Sequence, residues 1–84
     1  MRIVASSRFL RRARKLKPPR DALLRAAIRR FAADPQDPLL RTHKLHGELG
    51  DYWAFGVDDD LRALFRWDGD TCFLVMLGTH DEVY

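Results

Sequence analysis

Leu61-Arg62-Ala63-Leu64-Phe65-Arg66-Trp67-Asp68-Gly69-Asp70-Thr71-Cys72-Phe73-Leu74-Val75-Met76-Leu77 decides how this chain folds. Its first half alternates, with Leu61, Ala63, Phe65 and Trp67 on one side of an extended chain and Arg62, Leu64 and Arg66 on the other, because successive strand side chains point to opposite faces. From Cys72 to Leu77 the sequence is the most apolar of the chain and reads as a buried strand. Between them Asp68-Gly69-Asp70 holds the Asp-Gly pair preferred in tight hairpins. The stretch is therefore an antiparallel hairpin with one apolar face and one mostly cationic face.

Upstream, short apolar and aromatic runs place two more strands near 41–46 and 52–57, separated by breaks at Gly47 to Asp51 and Asp58 to Asp60. With strands at 61–67 and 71–78 they make a four-stranded antiparallel meander. The amino-terminal third has the other periodicity. After a short first strand, Arg2 to Ala5, Ser6 or Ser7 is a natural N-cap, and Phe9, Ala13 and Leu16 share one helical face as far as about Lys17. Pro18-Pro19 breaks that helix, and the second proline suits the first turn of the next. Leu24, Ile28 and Phe31 repeat the spacing, with Leu23 and Ala27, until Asp34-Pro35. The fold class expected is α+β in one domain over 1–84: a short strand, a two-helix hairpin, then the meander. Two helices cover one sheet face only. The other is left presenting Arg62 and Arg66, while Trp53, Phe55 and Trp67 are expected to pack.

Eighty-four residues bury only a modest core. The single cysteine, Cys72, excludes a disulfide framework and reads as core filler. No run of eighteen apolar residues and no secretory leader is visible, so a cytoplasmic protein with no membrane association is expected. The net charge of +3 conceals a division: residues 1–30 hold eleven of the fifteen Lys and Arg against one acid, Asp21, and the remainder carries −7. A basic segment of that density attracts polyanions, nucleic acid foremost.

Four motifs in order carry a resemblance: His43-Lys44-Leu45-His46-Gly47, Tyr52-Trp53-Ala54-Phe55, Asp60-Leu61-Arg62-Ala63-Leu64-Phe65, and Gly78-Thr79-His80-Asp81-Glu82-Val83-Tyr84. Together they resemble the RelE/ParE toxin superfamily of bacterial toxin-antitoxin systems, most of all its YafQ-type mRNA interferases. The resemblance spans the chain. It implies a RelE-like fold, a cognate antitoxin partner, and a ribosome-dependent endoribonuclease acting on mRNA. Metal-free cleavage of RNA needs a base for the ribose 2′-OH, a cation for the phosphoryl oxygens and an acid for the departing 5′ oxygen.

By that similarity His43, Asp60, His80 and Tyr84 fall on positions that act in YafQ-type enzymes, and Arg62 resembles the arginine that holds phosphate in RelE-type ones. His80, an imidazole at a strand end, is the first candidate for acid or base, with His43 its partner. Asp60 would orient a histidine or accept a proton, and Arg62 would grip phosphate bidentately. Tyr84 would stack on a base or bond the phosphate. Arg8, Arg11, Arg12, Arg14, Lys15 and Lys17 would dock on ribosomal RNA, with Lys44 and Arg66 extending the RNA-binding surface. No nucleotide-binding loop, metal-ligand cluster or nucleophile triad is present, so no cofactor is expected.

Two positions depart from the family pattern: Gly56 stands where YafQ-type enzymes carry another histidine, and Trp53 where the family often has arginine. His46, beside Gly47, is a spare candidate. The alternative is a non-nuclease binder on the same scaffold, either a ParE-like gyrase poison or an inactive homologue that binds antitoxin and nucleic acid.

Overall fold

The hairpin that the alternation predicts is the centre of the molecule. In the computed structural model, which describes the backbone of residues 1–84 and every side chain but that of Leu49, β4 (Leu61–Asp68) and β5 (Thr71–Thr79) pair antiparallel from Leu61 opposite Thr79 to Asp68 opposite Thr71. Gly69 makes the turn with φ of 59°, a backbone state that glycine adopts without steric cost. One irregularity interrupts the ladder: Leu64 faces Met76 and Phe65 faces Leu74, which leaves Val75 as a bulge. The Val75 carbonyl accepts from Ser6 Oγ at 3.0 Å.

β3 (Trp53–Gly56) pairs with β4, and β2 (His43–Lys44) with β3, both antiparallel. β1 (Arg2–Ala5) completes the sheet by lying parallel to β5, so the order is β1-β5-β4-β3-β2. The predicted four-stranded meander is thus part of a mixed five-stranded sheet. β2 is far shorter than the expected 41–46. A 3-10 turn, Pro38–Leu40, ends in Arg41 with a left-handed backbone (φ 52°, ψ 38°), which delays extension until His43.

Ser6 caps α1 (Ser7–Arg14) by accepting the Phe9 N–H at 3.0 Å. The helix stops at Arg14, three residues before Lys17, and the exit tightens into Lys15 to Arg12 and Leu16 to Ala13 bonds ahead of the two prolines. Pro19 is the N-cap of α2 (Arg20–Ala33) rather than a member of its first turn. Asp34, extended ahead of Pro35, ends α2 as read.

Phe9, Leu24, Ala27 and Phe31 from the helices meet Phe55, Leu61, Ala63, Phe65, Cys72, Leu74 and Leu77 from the sheet in one buried cluster. Phe31 stacks on Phe55 and packs its edge on Phe65, both at 4.8 Å between centroids. Each such aromatic ring stabilises the fold by about 1.5–3 kcal/mol through burial. Trp67 is less enclosed than expected, 36% exposed and stacked over Phe31 at 5.9 Å, because its pair position lies at the turn end of the hairpin. Burial pushes the Cys72 thiol up to about 12, which suits filler and not a nucleophile. The opposite sheet face is not bare. Leu45, Ala54 and Leu64 form a second small cluster there, flanked by Tyr52, Val75 and Met76.

The chain does not stop at a loose tail. Residues His80–Val83 form a short helix, α3, held by a reciprocal capping box between Thr79 and Glu82. No helix is long and apolar enough to cross a membrane.

Candidate active site

Arg62 leaves β4 on the face away from the two long helices, opposite Gly56 on β3 and Gly78 on β5. Its guanidinium does not reach outward. Nη1 donates to the Asp58 and Leu61 carbonyls and Nη2 to the Asp59 carbonyl, at 2.6, 3.1 and 2.9 Å. The 58–60 turn is thereby clamped to the strand. Asp58 closes the turn from below: its carboxylate accepts the N–H groups of Asp60 and Leu61 and the Nε of Arg20. Burial alone would raise the pKa of Asp58, but the Leu61, Asp60 and Arg20 donors outweigh it and hold it below the usual carboxylate value.

Asp60, last in the turn, accepts the His80 backbone N–H at 3.2 Å and so fixes the start of α3. It orients the histidine by its main chain, not by its ring as the sequence suggested. One turn later Tyr84 folds back over the sheet. Its hydroxyl lies 3.0 Å from His43 Nε2, and its ring meets the His80 ring edge to face at 4.5 Å. The expected base-stacking tyrosine is instead placed between two imidazoles. His43 Nδ1 is 2.9 Å from the Arg41 carbonyl, an acceptor only, so Nδ1 carries the proton and Nε2 accepts from the Tyr84 hydroxyl. Desolvation raises the Tyr84 pKa, and the neighbouring Arg62 charge works against that rise.

The five residues expected at the site, His43, Asp60, Arg62, His80 and Tyr84, therefore share one continuous patch. Arg41 belongs with them and was not expected. A left-handed non-glycine residue is an uncommon conformation that persists where surroundings impose it, and no sequence pattern announces it. His46 precedes the Gly47–Leu49 turn with no cap bond from its side chain.

The expected RNA-binding residues divide. Arg8, Arg11, Arg12 and Lys15 line a groove of about 250 Å³ against Met76, Leu77 and Glu82. Within it Arg12 is already engaged: Nη1 and Nη2 donate to the two carboxylate oxygens of Glu82 at 3.0 and 2.7 Å. That contact, together with the Thr79 donors, draws Glu82 down to about 2. Arg14 and Lys17 are exposed beyond the groove, and Lys44 is exposed on edge strand β2. Arg66 lies over the Phe73 ring at 4.7 Å. Among the described residues no three His, Cys, Asp or Glu converge as a metal-ligand group.

No protein-family model and no curated protein matches this chain. Solved structures do. YafQ from Escherichia coli superposes with a TM-score of 0.79 at 17% identity, over 100% of this chain and 99% of that one. A YoeB/ParE toxin from Agrobacterium tumefaciens gives 0.78 at 16% identity, over 95% and 99%. The fold is that of the RelE/ParE toxins.

A third RelE/ParE relative, the RelBE2 toxin-antitoxin complex from Mycobacterium tuberculosis, matches with a TM-score of 0.65 at 22% identity over 94% of this chain and 96% of that one. Against the RelE/ParE layout, the departure at Gly56 acquires a physical setting. Gly56 faces Arg62, and a Cβ added there would lie 3.4 Å from the Leu40 carbonyl oxygen and 3.8 Å from Arg62 Nη1, both ordinary contacts. The backbone tolerates a side chain at this position, so the glycine leaves space rather than relieving a clash.

Proposed function

We propose that this chain is the toxin of a toxin-antitoxin pair and acts as a ribosome-dependent mRNA endoribonuclease. The observation that carries the reading is Tyr84 bridging His43 and His80 beside the fixed charge of Arg62. Proton-transfer groups in contact, next to a cation and on an open sheet face, are what metal-free phosphodiester cleavage requires.

In this reading the 2′ hydroxyl loses its proton to the Tyr84–His43 couple: the tyrosine oxygen takes it as its own proton passes to Nε2 of His43. The 2′ oxygen then forms a bond to phosphorus while the bond to the 5′ oxygen breaks. His80 gives that oxygen a proton, which leaves a 2′,3′-cyclic phosphate and a 5′ hydroxyl. Arg62 lowers the energy of the crowded phosphoryl charge, acting through its field because its Nη groups are tied to the turn. The basic groove along α1 supports docking on ribosomal RNA, and an acidic antitoxin segment is the partner that would compete for it.

The test is primer extension on an mRNA translated in a purified bacterial system. Cleavage within A-site codons by wild type, absent from His80→Ala and Tyr84→Phe, is expected. Uncut mRNA with folded wild type would move the gyrase-poison or binding-only alternative to first place.

A further inference from the structure

Beside the proton-transfer patch, and sharing only Arg62 with it, is a second feature. Leu39, Arg41, Gly56, Val57, Asp59 and Arg62 line a depression of about 140 Å³ at the end of β3. Its floor is open because Gly56 has no side chain. This volume is below that of a drug-sized site and suits one planar heterocycle. We propose that the depression holds a single unstacked nucleobase of the RNA, adjacent to the phosphate being cut. The proposal rests on the ribonuclease reading and names a recognition element for it.

The lining argues for a base and against an anion. A phosphate entering here would approach two acidic residues, Asp58 and Asp59, and would find Arg62 with Nη1 and Nη2 already held by carbonyls. A neutral base meets complementary groups. Leu39, 71% exposed, and Val57 offer apolar surface, while the turn carbonyls and the Asp59 carboxylate accept from ring or amino N–H groups. Arg41 forms no ion pair among the described residues and stands at the rim as a guanidinium able to stack on the ring. Position is the second argument. Arg62 borders both the depression and Tyr84, and the Arg41 carbonyl fixes His43, so a base seated here sets the register of the neighbouring phosphodiester on Tyr84 and His80.

The experiment uses the full chain and uncleavable 2′-O-methyl hexanucleotides, either intact or abasic at one position in turn, with binding followed by fluorescence anisotropy. One abasic position is expected to weaken wild-type binding by about tenfold or more, the scale of one lost base-stacking contact. Gly56→Leu, which fills the depression, is expected to lose as much on the intact strand and to become indifferent to that abasic position. Leu39→Ala, a surface change that leaves the fold alone, is expected to lose affinity in the same direction. A folded Gly56→Leu that binds as wild type, or that stays sensitive to the abasic position, overturns the proposal. Wild type that binds the strands without regard to any base overturns the base site while leaving the ribonuclease reading intact. Wild type that binds none of the strands, and cuts no mRNA on the ribosome, overturns both.

Discussion

Arg12 and Glu82, seventy residues apart in the chain, are joined by two parallel hydrogen bonds of 2.7 and 3.0 Å. The first belongs to the basic groove and the second to the four-residue helix that brings His80 and Tyr84 to the sheet. A helix that short has no stability of its own. Its place depends on the Thr79–Glu82 box, the Arg12 pair and the packing of Val83.

The pair sets an acid limit for the site. Glu82 stands at about 2 against an ordinary 4.5, so its carboxylate supports the folded tail above the ordinary value and that support is lost as pH falls toward the lower one. Amide and ring NMR signals of residues 80–84 are expected to move toward disordered positions between pH 4.5 and 2, while the core signals of Phe31 and Phe55 lag behind. Glu82→Gln is expected to show the loosened tail already at pH 7. Wild-type tail signals that do not change before global unfolding would contradict this.

Tyr84→Phe removes the hydroxyl from His43 and keeps the edge-to-face contact with His80. The stability cost is expected to be small, about 1 kcal/mol or less for an exposed hydrogen bond. Cleavage is expected to fall about 100-fold or more, the usual scale of a lost proton-transfer group. Measuring both quantities on one preparation separates chemistry from folding.

Asp58→Ala is expected to do the reverse of what its surface location suggests. Its carboxylate holds two backbone N–H groups and Arg20, and the turn it organises carries the Arg62 clamp and Asp60. A loss of about 2 kcal/mol in urea denaturation is expected, toward the lower end for charged hydrogen bonds because the group is partly exposed. Asp59→Ala, which removes no such bonds, is expected to stay within about 0.5 kcal/mol of wild type.

At Arg41 stability and binding should part company. Arg41→Gly relaxes the left-handed backbone while keeping the carbonyl that holds His43, so thermal stability is expected to hold or rise by up to about 1 kcal/mol. The guanidinium at the rim of the depression is lost, and affinity for the uncleavable RNA is expected to drop. A parallel fall in both readouts would mean that the arginine side chain supports the fold instead.

Much of the architecture was legible because period and punctuation agree: Leu24, Ile28 and Phe31 at helical spacing, Leu61 to Trp67 in alternation, Asp68-Gly69 at the turn. What stayed hidden was set by contacts between distant segments. Nothing local tells that β1 pairs with β5, that Arg12 is engaged by Glu82, or that Arg62 turns back onto its own loop. α3 is the exception, since Thr79-His80-Asp81-Glu82 is a capping-box signature on its face and so a local cue for a helix start. The five candidate residues lie together in the fold, whereas their connections needed three dimensions: Asp60 touches the His80 main chain, and Tyr84 sets its hydroxyl on His43 and its ring against His80.

The parallel pairing of β1 with β5 has a bearing on how a chain of this kind comes into being. The first strand has no neighbour until residues 71–74 exist to receive it, and it stays apart from the rest of the sheet until β5 fills the place between β1 and β4. A growing polypeptide carries His43 and Arg62 well before it carries any arrangement of them. Until the segment after the hairpin turn exists, neither the pairing of β5 with its two neighbours nor the contact of Tyr84 with His43 can form.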